Sequence, residues 1–163
     1  GIVWAGRPTH KNDRNRSVQL AQFAPLAALP NTALVSLQKG AGCADIGSYL
    51  GHAPLLNLGP ELNDFDDTLA AIDALDAVVC VDTAVGHAAG ALGKPVWLAL
   101  PRAAEWRWLL ERADTPWYAR HRLVRQQVPG AWAPVFERIA AELVAPPAAP
   151  GKNPPKNKPR KAR

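Results

Sequence analysis

The chain has no methionine and only two cysteines among its 163 residues. Two cysteines are too few for a disulfide framework and lack metal-ligand spacing, so we expect Cys80 in the core, Cys43 as a surface thiol, and a reducing cytoplasm. No apolar run approaches the roughly 18 residues of a membrane span, and no secretory signal is visible. The chain enters its first apolar run at Gly1 without an initiator methionine, so we expect it to be a piece of a longer protein.

Positive charge is concentrated at the carboxyl-terminal end. Of 19 Lys and Arg, six lie in residues 151–163 without any acid, so the remaining 13 face 14 Asp and Glu. A specific nucleic-acid-binding face is therefore not expected. Residues 145–163, the basic tail, are rich in Pro, Ala, Gly, Asn and Lys and are predicted to be disordered. The basic tail is either a solubilising terminus or a weak contact for nucleic acid or anionic lipid.

Short apolar runs alternate with amphipathic segments up to about residue 144. The runs predict strands at residues 2–4, 33–37, 55–58, 77–81 and 96–100, and a weaker strand at 122–124. Several are continuously apolar, which is typical of parallel strands buried on both faces. Amphipathic patterns predict helices at 20–27, 66–75 and 135–143 and between Val81 and Gly93. The order predicts one α/β domain over residues 1–144, a Rossmann-like parallel sheet with helices on both faces.

The most specific stretch begins where a buried strand ends at Asp82 and a helix follows. First-turn N–H groups, the helix dipole and the Thr83 hydroxyl together predict an anion site at the sheet edge where such folds bind ligands. We expect Asp82 to bind sugar hydroxyls and His87 to face the same mouth. Small residues, Ala84 and Gly86 among them, would let a ligand and the neighbouring backbone approach closely. The alternative is a simple N-cap at Asp82 or Thr83, with His87 on the surface.

Basic side chains in the loop after the first strand form the second part of the predicted site. Four cations lie within ten residues there: Arg7, Lys11, Arg14 and Arg16. A diphosphate needs such compensation, although a solvated charged loop explains the same residues. Lys39 and Glu61, after the second and third strands, are further candidates, Glu61 for a ribose hydroxyl. Trp106 or Trp108 could stack on a base or sugar, but packing is expected for at least one of them.

These motifs resemble a known family. The stretch DTAVGHAAGALGKPVW, residues 82–97, is similar to the C-terminal motif of glycosyltransferase family 9, the heptosyltransferase-like enzymes. The segments GIVWAGRPTHKNDRNRS, VSLQKG, LGPELNDFDDT and the pair EWRWLLER and TPWY resemble bacterial proteins that join tetratricopeptide repeats to such a domain. The resemblance covers residues 1 to about 144, in order. One departure is Ala84, where heptosyltransferases typically have glycine, so a heptose donor is not carried over.

The resemblance implies the C-terminal, donor-binding half of a GT-B glycosyltransferase. On matching positions, Asp82, Thr83 and His87 would contact the diphosphate and donor sugar. Lys11 and the two arginines Arg14 and Arg16 would bind the phosphates. Glu61 matches the ribose contact less closely. The family implies a nucleotide-diphosphate-sugar donor and an acceptor that is a glycan, lipid or protein. No D-x-D-type acidic pair lies near the expected site, which favours cations over Mg²⁺, so we expect no metal or other cofactor. Acceptor binding and the catalytic base would belong to an N-terminal domain outside this chain, so we expect the isolated chain to transfer nothing.

Two rival interpretations remain open. One is a non-catalytic interaction module of a repeat protein that keeps the fold with an idle pocket. The other is a dinucleotide-dependent oxidoreductase domain, which is disfavoured because no G-x-G-x-x-G follows the first strand.

Overall fold

The computed structural model describes residues 1–145 and contains a six-stranded parallel sheet. The strands are β1 (Ile2–Val3), β2 (Leu34–Ser36), β3 (Leu55–Asn57), β4 (Val78–Val81), β5 (Val96–Leu100) and β6 (His121–Arg125). Every neighbouring pair is parallel, and the order across the sheet is β3-β2-β1-β4-β5-β6. This is the strand order of the Rossmann fold, in which the chain reverses its direction of travel across the sheet between β1 and β4. The predicted fold class and all six predicted strands are confirmed.

Helices cover both faces of the sheet. Within residues 1–145 the α-helices are α1 (Asp13–Arg16), α2 (Ala24–Ala27), α3 (Phe65–Asp73), α4 (Ala84–Ala91) and α5 (Ala133–Val144). Short 3₁₀ segments occupy Leu20–Phe23, Gly40–Ser48 and Trp106–Trp108. Helices α2 and α5 pack together on one face, and α3 and α4 pack together on the other.

The two faces of β4 explain why its sequence is apolar at every position. Val79 and Val81 belong to the core shared with α2 and α5, whereas Val78 and Cys80 belong to the core under α3 and α4. Burial, and next the charge of Asp82, raise the pKa of the Cys80 thiol to about 12, so the thiol stays protonated. Cys80 is therefore the core residue that was predicted.

Helix boundaries follow local chemistry. The Asp64 side chain accepts a hydrogen bond from the Asp67 amide at 2.9 Å and so caps α3, and Asp66 and Asp67 place negative charge in its first turn. The single helix predicted over residues 20–27 is instead a 3₁₀ turn followed by α2. Pro25 lies in the first turn of α2, where a residue without an N–H is tolerated. Because proline has no N–H to donate to the preceding turn, the helix cannot continue unbroken from residue 20.

No helix within residues 1–145 is long and apolar enough to cross a membrane. The predicted disorder of the basic tail concerns residues that, beyond Ala145, lie outside the described part of the chain.

Candidate functional site

The loops after β1 and β4 meet at the centre of the carboxyl edge of the sheet. Arg16 makes the connection, since its Nη1 donates to the Asp82 carbonyl at 2.8 Å. Its Nε lies 3.3 Å from Asp13 Oδ1, and the Ser17 hydroxyl donates to the same oxygen at 2.8 Å. Ser17 Oγ also accepts the Gly6 amide at 2.9 Å. The structure thus places Arg16 at the predicted site, mainly as the residue that holds the first loop against the end of β4.

Lys11 and Arg14 lie in the same loop with their charges unpaired. Both are exposed, and neither forms an ion pair or side-chain hydrogen bond with any residue in the range 1–145. Both precede the anchored Arg16, so the loop presents two exposed cations from a fixed base. This arrangement is suited to closing over an anion that reaches the end of β4.

Thr83 occupies the N-cap position of α4, but its side chain does not cap the helix. Its Oγ1 is buried and has no hydrogen-bond partner among residues 1–145. Ala84, the first helical residue, is exposed, and amides of a first helical turn have no partner within the helix. The buried Thr83 hydroxyl is thus next to the amides of Ala84 and Val85, whereas the Gly86 amide bonds the Thr83 carbonyl at 3.1 Å. The same hydroxyl lies close enough to the Cys80 thiol to offset part of the rise that burial causes in the pKa of that thiol. The Asp82 carboxylate, half-buried next to them, makes no hydrogen bond or ion pair within the described residues.

His87 is held by aromatic side chains. Its Nδ1 lies 3.0 Å from the Tyr118 hydroxyl, and its ring stacks on Trp108 with centroids 5.1 Å apart. His121 stacks on Trp108 and Tyr118 in turn. We call His87, Trp108, Tyr118 and His121 the aromatic cluster. No contact links His87 to the cations of the first loop within the described residues, and the partners that hold the ring lie between β5 and β6 in the chain. The predicted orientation of His87 toward the anion site stays a prediction.

Lys39 has a bridging role that its sequence position did not indicate. Its Nζ donates to the carbonyls of Gly59 at 2.9 Å and Leu62 at 2.6 Å, which ties the ends of β2 and β3 together. Because an ammonium has three donors, one remains for a ligand. Glu61 lies on the same connection, is exposed, and has no side-chain partner in residues 1–145.

Gly86 makes room for the sheet. A Cβ at this position would lie 3.0 Å from Cys80 Sγ and 3.2 Å from Leu98 Cδ1. The absence of a side chain therefore lets α4 lie close against β4 and β5, as the expected close approach of neighbouring chain segments requires, and a ligand contact at Gly86 stays a prediction.

The two tryptophans separate as the sequence suggested. Trp108 is buried within the aromatic cluster, whereas Trp106 is exposed with the Arg107 guanidinium 5.3 Å from its ring centroid. Packing accounts for Trp108, and Trp106 keeps a solvent-facing ring.

Gln38 is the largest contribution that sequence reasoning missed. It is 1% exposed, and its Oε1 accepts the amides of Trp4 and Ala5 at 3.0 and 2.9 Å. Its Nε2 donates to the carbonyls of Ala5 and Lys39 at 2.9 and 2.8 Å. Gln38 thereby shapes the chain as it leaves β1 and enters the first loop. The available signal was a polar residue directly after the buried strand β2.

Tyr118 is a second residue that the sequence did not single out for this region. Replacing Tyr118 with Phe keeps the ring but removes the partner of His87 Nδ1. We expect the His87 ring to lose its fixed tautomer, which ring ¹⁵N chemical shifts report, and stability to fall by about 1 kcal/mol. Tyr49→Phe is the matched control, because the Tyr49 hydroxyl donates to the Ala53 carbonyl and makes no contact with His87. Unchanged His87 ring shifts in Tyr118→Phe would contradict this assignment.

Within residues 1–145, no group of three or more His, Cys, Asp or Glu side chains is arranged to hold a metal ion.

The fold and the position of the site define a Rossmann-like α/β domain with a candidate anion site between β1 and β4. Comparison with known proteins adds one relative. The chain is 29% identical over 151 residues to Protein FlbA of Caulobacter vibrioides, an alignment that covers 88% of this chain and 24% of FlbA. The chain therefore spans about a quarter of the length of that curated relative. No family model and no solved structure matches the chain.

Proposed function

We propose that residues 1–144 form the donor-binding domain of a GT-B glycosyltransferase. The proposal rests on two sets of polar groups at the ends of β1 and β4, where the chain reverses its direction across the sheet. Thr83 Oγ1 and the amides of Ala84 and Val85 lie on one side, and the loop of Lys11 and Arg14, fastened by Arg16, lies on the other. Both sets suit the diphosphate of a nucleotide-sugar.

In this function the domain binds the donor and stabilises the leaving group. As the glycosyl bond breaks, negative charge develops on the departing diphosphate. Donors fixed before the reaction stabilise that charge most effectively, and backbone amides at a helix start are fixed in this way. Lys11 and Arg14 add mobile positive charge. The Asp82 carboxylate, which has no partner among residues 1–145, is suited to accept bonds from sugar hydroxyls.

The proposal includes a larger protein. The acceptor, a glycan, lipid or protein, and the catalytic base would be held by an N-terminal domain, with tetratricopeptide repeats elsewhere in the full-length chain. No metal or other cofactor is required by this scheme, because cations and amides carry the phosphate charge. We place the domain in the cytoplasm, in agreement with its two free thiols, Cys43 and Cys80.

A thermal-shift panel of UDP, GDP, ADP, CMP and NAD tests the proposal on the chain as it stands. A ligand at about 100 times its Kd adds roughly 2.7 kcal/mol of stability, which is a shift of several degrees for a domain of this size. A response to nucleotides that is lost in Thr83→Ala supports the donor site. A response to NAD alone would instead indicate an oxidoreductase.

Removing both mobile cations gives the sharper prediction. In the double variant Lys11→Gln and Arg14→Gln we expect the Kd for a responding nucleotide to rise by about tenfold or more, because each charge-assisted bond contributes roughly 1.5–3 kcal/mol. Arg120→Gln is the matched control, since Arg120 is exposed directly before β6, at the opposite edge of the sheet. Equal Kd values for the double variant and the control would contradict the role of the first loop.

The second candidate function is a non-catalytic interaction module with an idle pocket. The orientation of His87 favours it, because the ring is held by Tyr118 and Trp108 and makes no contact with the first loop. Silence across the whole nucleotide panel is the result expected for this alternative.

A further inference from the structure

A concavity lies at the carboxyl ends of β5 and β6, whereas the candidate donor site lies at the carboxyl ends of β1 and β4. It has a volume of about 390 Å³, and its lining includes none of the donor-site candidates. Four arginines and one carboxylate line it: Arg102, Arg112, Arg125, Arg138 and Glu111. Arg102 follows β5, Arg125 ends β6, and Arg138 comes from α5. We call this concavity the arginine cavity.

Two of the four arginines have carboxylate partners and two do not. Arg112 Nε lies 2.6 Å from Asp114 Oδ1, and Arg138 Nε lies 2.9 Å from Glu142 Oε1. Arg102 and Arg125 form no ion pair within residues 1–145. The one carboxylate of the lining, Glu111, also forms none, so it offsets part of the positive charge without neutralising either guanidinium.

Arg125 is held in place with one donor unused. Its Nη2 donates to the carbonyls of Leu109 at 2.8 Å and Trp108 at 3.2 Å. Its Nη1 is buried and has no partner among the described residues. Burial, and next the charge of Arg102, lower the pKa of the Arg125 guanidinium below its usual value. A fixed cation with an unsatisfied donor is thus placed next to a second cation, an arrangement that an anion would stabilise.

Arg102 provides the mobile part of the arrangement. It is exposed, and its Nη1 makes only a long bond of 3.4 Å to the Gln127 carbonyl. Its backbone, by contrast, is fixed, because the Arg102 amide donates to the Oε1 of buried Gln126 at 3.3 Å. The guanidinium can therefore turn toward a ligand in the cavity, and movement of this rim would also give access to Arg125 Nη1.

We propose that the arginine cavity binds the phosphate group of a small phosphate monoester. A phosphate dianion brings close to two negative charges near pH 7, which matches the two guanidinium groups without carboxylate partners. Its oxygens can accept bonds from Arg102 and Arg125 at once, with Arg112 and Arg138 contributing from the rim. This proposal does not depend on the donor site, because no residue is shared between the two.

NMR titration of the ¹⁵N-labelled chain with inorganic phosphate, at constant ionic strength, tests the proposal. We expect the largest shifts at the Arg102 and Gln127 amides and the Gln126 side-chain amide. Arg102→Gln should raise the Kd about tenfold or more, the loss expected for one charge-assisted contact. Glu111→Gln should lower the Kd by about two- to fivefold, because it removes a negative charge that repels phosphate, and interactions between exposed charges are of this size.

Two further variants separate this site from folding effects and from the donor site. Arg125→Lys keeps the charge and loses the planar fork, so it should weaken phosphate binding while the amide spectrum stays folded. The double variant Lys11→Gln and Arg14→Gln should leave phosphate binding at the arginine cavity unchanged. The proposal is overturned if phosphate shifts no amide of this region at millimolar concentration, if Arg102→Gln binds like the parent chain, or if citrate binds there more tightly than phosphate.

Discussion

Replacement of Gln38 with Leu is expected to lower the free energy of unfolding by about 4 kcal/mol. The substitution leaves the amides of Trp4 and Ala5 without their acceptor and the carbonyls of Ala5 and Lys39 without a donor. Each buried group left unsatisfied costs roughly 1–3 kcal/mol, and part of that cost is recovered by local rearrangement and by burial of the leucine. Few single substitutions have so large an effect, and this one acts at the entrance to the first loop.

Urea unfolding of Gln38→Leu beside Gln127→Leu measures the effect. Gln127 is exposed, so the same change there should alter stability by less than about 0.5 kcal/mol. We also expect Gln38→Leu to lose any nucleotide response, because the first loop would no longer leave β1 in its present direction. A loss of stability below about 1 kcal/mol would show that the four bonds of Gln38 do not organise this corner.

The second large effect is a loss of stability in acid that originates at His121. This residue is 3% exposed, and neither ring nitrogen makes a well-formed hydrogen bond among residues 1–145, the Gly86 backbone being a weak partner. Burial lowers the pKa of His121 to about 4, although the backbone of Gly86 acts in the opposite direction. The folded state therefore keeps the ring neutral, and the unfolded chain takes up a proton at the ordinary value near 6.5. As the pH falls below 6.5 the unfolded state gains protons that the folded state does not.

The expected size of this effect is about 3 kcal/mol between pH 7 and pH 4, from 1.36 kcal/mol for each unit of pKa difference. Denaturant unfolding of the parent chain and of His121→Phe across this range isolates the contribution, since phenylalanine cannot take up the proton. His52→Gln serves as the control, because His52 is exposed. An equally steep loss of stability in His121→Phe would assign the acid sensitivity to other groups.

The sheet was predictable because each strand is marked by a short apolar run in its own sequence. A strand buried on both faces must be apolar at every position, as β4 and β5 are, and such runs cannot be mistaken for half-exposed strands. The 3₁₀ segment Gly40–Ser48 was not predicted, since its glycine-rich sequence has no apolar period and it contains no buried residue.

The candidate site was predictable in position but not in detail. Position follows from the sheet, because everything after β1 and β4 must meet at one edge. Detail depends on partners far away in sequence. The bond between Arg16 and the Asp82 carbonyl joins residues 66 positions apart, and the bond between His87 and Tyr118 joins residues 31 apart. No local pattern reports such pairings, so Arg16 as an anchor and His87 as a member of the aromatic cluster became visible only in the fold.

The arginine cavity is also a feature that the sequence alone could not reveal. Its four arginines are spread from residue 102 to residue 138, so they form no cluster in the sequence. The cations of the first loop, by contrast, are adjacent in sequence and attracted attention for that reason. Sequence reasoning therefore favours sites built from one loop over sites built from several elements.

A crystal of this chain soaked with UDP or GDP tests most directly whether a diphosphate binds between β1 and β4, because the electron density of the phosphates locates the ligand. We expect a diphosphate at the start of α4, bonded by Thr83 Oγ1 and the amides of Ala84 and Val85, with Lys11 or Arg14 turned toward it. An empty corner between β1 and β4 with the nucleotide bound elsewhere, for instance in the arginine cavity alone, would contradict it.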